Sequence, residues 1–238
     1  MKEEKKKIQK YFIVSAGLLS LFVLYTIAIM FIDVRSIGPQ GSTVGFAKVN
    51  QYFHELIGVN MLLYNITDWL SIAVLLIMFG FAMAGLVQLI KRKNLLRVDR
   101  IILILGGFYI LVFLAYLCFE FFVVNYRPVL IEGVLEASYP SSTTMLVLCI
   151  MPTAIMQFNR LISCEKSRYI VVALCSVYSI LMVVGRVLSG VHWITDILGG
   201  VLFSATLVMF YYSTVQLSRL QDLPSRSAVN KSQDNKAN

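Results

Sequence analysis

A backbone amide in hydrocarbon has no water to bond, so an apolar run long enough to cross a bilayer is forced towards helix. This chain has six such stretches: Tyr11 to Ile32, Trp69 to Ile90, Ile101 to Phe119, Ser141 to Phe158, Tyr169 to Val187 and His192 to Leu217. With 58% hydrophobic residues, 14% charged residues and a mean hydropathy of +0.76, the composition excludes a soluble globule. The expected fold class is all-α, a polytopic membrane protein of six transmembrane helices. The first run is long for a signal-peptide core and lacks a small-residue cleavage site, so it reads as a retained span.

The formal charge of +8 would suggest nucleic acid in a soluble protein, but here its distribution follows topology. Lys and Arg number five in residues 1–10, five in Lys91 to Arg100, three in Arg160 to Arg168 and four in the tail, against Arg35, Lys48, Arg127 and Arg186 in the alternate connections. By the positive-inside rule both termini are cytoplasmic, and the connections carrying Arg127 and Arg186 face outward. The expected organisation is a basic N-terminus over 1–10, a membrane domain over 11–217, and a polar, disordered cytoplasmic tail over 218–238. The cell membrane is the expected location.

Between the first two spans, Gly38-Pro39-Gln40-Gly41-Ser42 marks a turn, and the apolar spacing of Phe46, Phe53, Leu56 and Ile57 fits an interfacial helix that also carries His54. Asn65-Ile66-Thr67 matches a glycosylation sequon, a short and weak motif. Cys118, Cys149, Cys164 and Cys175 lack metal-ligand spacing and mostly pack as small hydrophobes. Pro152 is expected to kink the fourth span.

The stretch Arg186 to Asp196 gathers an arginine, one of two histidines and an aspartate at the junction of two apolar runs. Ionisable residues placed so are expensive in a membrane and point to function. If a helix starts near Val191, His192 and Asp196 share a face one turn apart, and the carboxylate can hold one ring nitrogen while the other stays free. Arg186, across the Ser189-Gly190 turn, can meet a phosphate with a bidentate fork. The helix N-terminus favours an anion and a neutral imidazole. The same trio could also serve only as an interfacial cap.

Together with Arg127-Pro128 and Pro140-Ser141-Ser142-Thr143, this stretch resembles the three motifs of the type 2 phosphatidic acid phosphatases (PAP2), which share a phosphate site with vanadium haloperoxidases. The family motifs are Lys-x6-Arg-Pro, Pro-Ser-Gly-His and Ser-Arg-x5-His-x3-Asp. The third stands here as Gly185-Arg186, His192 and Asp196, departing only at its leading serine. The first has Glu120 in place of lysine, and the second lacks glycine and histidine, with Thr143 at the histidine position.

The resemblance implies a PAP2-like bundle in which His192 attacks phosphorus to form a phosphohistidine and Asp196 orients it. Arg127, Ser141, Ser142 and Arg186 hold the phosphoryl oxygens. No cofactor or metal is required, because arginines and helix dipoles do the electrostatic work. Glu120 leaves the clamp one positive charge short, and Thr143 is too weak an acid to protonate a leaving group. His54, Glu132 and Glu136 are other candidate acids; His54 reads more readily as an interfacial histidine with no catalytic role, and the two glutamates equally well as solvated loop charges.

The implied partners are a membrane lipid phosphate or polyprenyl pyrophosphate, not nucleic acid. A pyrophosphate suits a site without an acid, because its leaving phosphate has a second pKa of about 6. The alternative from another class is a catalytically impaired relative that binds a lipid headgroup or a membrane partner. A transporter fits poorly, since the charges gather at one face and not along a pore.

Overall fold

The structure, a computed structural model, describes residues 2–237, with side chains as far as Gln221. Seven α-helices lie among the described residues: α1 (Lys2–Phe31), α2 (Ala47–Ile57), α3 (Met61–Arg92), α4 (Arg100–Phe121), α5 (Ser142–Leu161), α6 (Glu165–Ser189) and α7 (Ile194–Ala237). All but α2 are long and apolar enough to span a bilayer. The chain is 79% helical, with isolated β-bridges in place of a sheet. The expected all-α six-span architecture is therefore present. The tail expected over 218–238 falls, beyond Gln221, outside the fully described residues.

Two of the spans, α3 and α4, begin where a polar side chain satisfies a free amide. Asn60 caps α3 by accepting from the Leu63 amide at 3.0 Å, and Asp99 caps α4 by accepting from the Ile101 amide at 2.9 Å. The second span thus starts at Met61, eight positions before the expected Trp69. Asp68, which marked the expected boundary, is exposed and pairs with the buried Arg186 at 2.9 Å. The sixth span, α7, starts at Ile194, so His192 lies in the turn before it. The basic residues at 2–10 belong to α1 itself.

The apolar surface points both ways. Ile13, Leu24, Leu76 and Phe79 face outward, as lipid-facing positions do, while Phe22, Phe119, Tyr139 and Phe203 stack in the interior. Phe22 and Phe203 are stacked with centroids 4.3 Å apart. Polar side chains within the helices find partners: Gln157 donates to Tyr211 Oη at 2.6 Å, and Thr153, beside Pro152, donates to the Cys149 and Ile150 carbonyls.

At one end of the bundle meet the C-termini of α1, α4 and α6, the N-termini of α3, α5 and α7, and the short α2. Glycines allow the closest approaches there. Gly190 has φ +65°, and a Cβ on it would come within 1.8 Å of the Gly58 carbonyl oxygen. At Gly185 a Cβ would meet Thr67 Cγ2 at 2.6 Å, which explains why α6 carries no serine at that position while packed on α3. Gly199 takes the Tyr139 ring, which a Cβ would meet at 2.3 Å.

The Gly190 turn sets the position of His192, so Gly190→Ala is expected to destabilise the protein by roughly 1–3 kcal/mol, the cost of a strained backbone position. Gly17→Ala, where a Cβ meets nothing within 4 Å, should change stability by less than about 1 kcal/mol. Denaturant unfolding in detergent micelles checks both; equal stability of the two variants would contradict this account of the turn.

Candidate active site

Asp196 is the buried centre of the polar end. It lies in the first turn of α7 with no solvent exposure, and its carboxylate accepts from three donors: Asn125 Nδ2 at 3.0 Å, Ser138 Oγ at 2.5 Å and the Trp193 amide at 3.2 Å. A buried carboxylate is tolerable only when so satisfied. Its backbone carbonyl accepts from the Ser141 amide at 3.0 Å, tying α7 to the start of α5.

The connection from Asn125 to Ser141 is folded back on itself by backbone bonds. Arg127 N donates to the Glu136 carbonyl at 3.1 Å and Ser138 N to the Asn125 carbonyl at 2.9 Å. Tyr139 anchors the return by bonding Thr26 at 2.7 Å and stacking on Phe22. Trp193 Nε1 donates to the Tyr126 carbonyl at 2.8 Å, and Asn50 of α2 donates to Thr195 Oγ1 at 2.9 Å. Three connections thereby converge on His192.

His192 is 5% exposed, and its Nδ1 lies 2.9 Å from Ser138 Oγ. Its other nitrogen, Nε2, is buried without a hydrogen-bond partner among the described residues. The expected direct contact of Asp196 with the ring is replaced by a contact through Ser138. The reason is that His192 precedes α7, so the two residues do not stack at helical spacing. Burial first, then the charges of Arg127 and Arg186, push the His192 pKa well below its usual value, so the ring is neutral at pH 7.

Two guanidinium groups face this ring's surroundings. Arg186 Nη2 bonds Asp68 at 2.9 Å and Thr143 Oγ1 at 2.7 Å, while its Nε and Nη1 are buried and unpartnered among the described residues. Arg127 Nε lies 3.1 Å from Glu136 without hydrogen-bond geometry, and its Nη1 is likewise buried and unpartnered. Both guanidinium carbons lie over the Tyr64 ring, at 5.6 Å for Arg127 and 4.8 Å for Arg186. The ring's negative face offsets the repulsion between them.

Other sequence expectations are placed differently. Ser141 is fully buried, with its hydroxyl on Thr144 at 3.0 Å and its amide on Asp196, so it faces inward and not towards an anion. The first amides of α5, at Ser142 and Thr143, are the ones left for a ligand, since the helix has no side-chain cap. Glu120 is exposed at the end of α4, and Arg127 has Glu136 as its ionic neighbour instead. Glu132 is exposed at a turn.

His54 packs on Trp193 with ring centroids 5.4 Å apart, and burial, partly offset by Glu55, lowers its pKa. His54 and His192 line one small cavity together with Asn50 and Gly190. Sequence reasoning missed Tyr64, Asp68, Asn125 and Ser138. The i to i+4 pair Tyr64 and Asp68 on α3 was a readable signal, since it puts a ring and a carboxylate on one helical face. Ser138 had only its place two residues before Pro140.

Asp68 offsets the charge of the guanidinium whose unpartnered nitrogens an anion would meet, so Asp68→Asn should tighten binding of inorganic phosphate. The gain expected is about two- to fivefold, matching the roughly 0.5–1 kcal/mol of a pair with one exposed partner. Titration calorimetry on detergent-purified protein reads this, and unchanged or weaker affinity would show that Asp68 does not compete.

The arrangement suits a tetrahedral oxyanion, with unpartnered guanidinium donors, helix-start amides and a neutral imidazole. Comparison with known proteins agrees at the level of fold. The family model for the PAP2 superfamily matches residues 71–220, which include Arg127, Thr143, Arg186, His192 and Asp196 but not Tyr64 or Asp68. The structure is similar to the crystal structure of the first transmembrane PAP2 type phosphatidylglycerolphosphate phosphatase from Bacillus subtilis. The TM-score is 0.58 and the identity 17%, over 85% of this chain and 96% of that one. No curated protein matches the sequence. With its motif residues gathered at one end of a six-span bundle and the model matched over most of that bundle, the chain belongs to the PAP2 superfamily.

Proposed function

We propose that the protein removes phosphate from a lipid phosphate or lipid pyrophosphate at the outer face of the cell membrane, through a phosphohistidine on His192. The observation that carries this reading is the unpartnered Nε2 of a buried, neutral His192, flanked by arginines with unpartnered nitrogens. In the first step the Nε2 lone pair forms an N–P bond while the P–O bond to the leaving group breaks. In the second, water forms a P–O bond, its proton leaving with the released phosphate, and the N–P electrons return to Nε2. Arg127 and Arg186 meet the oxygens on which charge develops.

The basic clusters at the far end of the helices support the outer side. The surroundings support a lipid substrate. A cavity of about 300 Å³ between α3, α4 and α5 begins at Ser142 and Thr143 and is lined by Leu75, Val112 and Ile150. Such a lining suits an alkyl or prenyl chain whose headgroup lies at the arginines.

Thr143 bonds Arg186 where the family has a histidine acid, so a good leaving group is favoured. The same feature supports a second reading, a protein that binds a phosphorylated headgroup without turnover. General acid catalysis is typically worth about 10²- to 10⁴-fold, and the site must do without it.

Phosphate release by purified protein from phosphatidate and from a polyprenyl pyrophosphate separates these readings. The expected result is faster release from the pyrophosphate, with release abolished by His192→Ala. Phosphatidate cleaved equally well would refute the leaving-group argument. Phosphate binding with no release from either lipid would leave the binding protein.

A further inference from the structure

The Ser138 hydroxyl has one hydrogen and two close neighbours, Asp196 Oδ2 at 2.5 Å and His192 Nδ1 at 2.9 Å. Which of them receives the hydrogen is decided by the rest of the network. Asp196 already accepts from Asn125 on Oδ1 and from the Trp193 amide on Oδ2. Both oxygens thus face hydrogen-bond donors, as an ionised carboxylate requires, and the Ser138 hydroxyl is a third donor, to Oδ2. Ser138 must then donate to Asp196, and its oxygen can only accept from His192.

We propose that Ser138 is a positioning residue that couples Asp196 to His192, holding the imidazole as the Nδ1–H tautomer so that Nε2 keeps its lone pair for phosphorus. The inference rests on the phosphatase reading for its catalytic consequence, but the tautomer is a property of the resting protein.

The placement of Ser138 is not incidental to packing. It is 2% exposed, its amide is bonded to Asn125, and the next residue, Tyr139, is pinned between Phe22, Thr26 and Gly199. The hydroxyl therefore has little freedom to turn elsewhere. During attack, as Nε2 forms its bond to phosphorus, the ring becomes cationic. The Nδ1–H then donates to Ser138 Oγ while Ser138 donates to Asp196, so the carboxylate stabilises the cation one hydroxyl away. No proton needs to leave the ring, and on hydrolysis the electron pair returns to Nε2.

The test uses the full chain in detergent, labelled with 15N-histidine. The His192 signal is assigned with His54→Gln, and the tautomer is read in wild type, Ser138→Ala and Ser138→Thr. Wild type should show Nδ1 protonated and Nε2 bare, Ser138→Ala a mixture or the opposite tautomer, and Ser138→Thr the wild-type pattern. In turnover, Ser138→Ala should lower kcat by at least about tenfold with KM within about twofold. A wrong histidine tautomer costs a serine protease about 10⁴-fold. Ser138→Thr should recover most of kcat.

A protonated Nε2 in wild type, or an unchanged tautomer in Ser138→Ala, overturns the proposal. So does a KM that rises with kcat unchanged. A wild type that releases no phosphate defeats the phosphatase reading alone, because the spectrum still decides the tautomer.

Discussion

The polar end of this molecule depends on one buried carboxylate. Asp196 has no exposure at the head of α7, and an unpaired charge there would cost several kcal/mol. It is satisfied only if Asn125, Ser138 and the Trp193 amide all reach it, from two different connections. Those bonds place Arg127 on one side, His192 on another and the start of α5 below. The fold brings the chemistry together because the carboxylate must be solvated by protein where no water reaches.

The arginines pose the opposite problem. Two guanidinium groups over one ring would repel each other, and the site manages this with Tyr64 beneath both, Asp68 on one and Glu136 near the other. Each compensating group lies outside the family motifs, and two lie on α3 before the matched residues. Thr143 contributes by accepting from Arg186 and not by acting as an acid. Glu120, at the position of the motif lysine, is exposed at the end of α4.

Much of this was legible in the sequence. The six spans follow from hydrocarbon's inability to bond amides, and His192, Asp196, Arg127 and Arg186 are marked by their rarity in an apolar chain. What was not legible depended on partners distant in sequence. A span boundary at Met61 instead of Trp69 requires knowing that Arg186 pairs with Asp68, 118 positions away. The relation of Asp196 to His192 was read as helical stacking, whereas the turn at Gly190 keeps His192 off the helix and a serine 54 positions earlier fills the gap. Ser141 carried a family role by position, yet its amide and hydroxyl are both used within the fold.

The proposed reaction turns on His192 Nε2 taking the phosphoryl group. Rapid acid-free quenching of the protein during turnover of a 32P-labelled lipid pyrophosphate, followed by denaturing electrophoresis, tests this directly. The proposed reaction predicts label on the wild-type chain that is stable to base, lost in acid and missing from His192→Ala. Turnover with no protein-bound label under quenching fast enough to catch the intermediate, or label retained in His192→Ala, would contradict it.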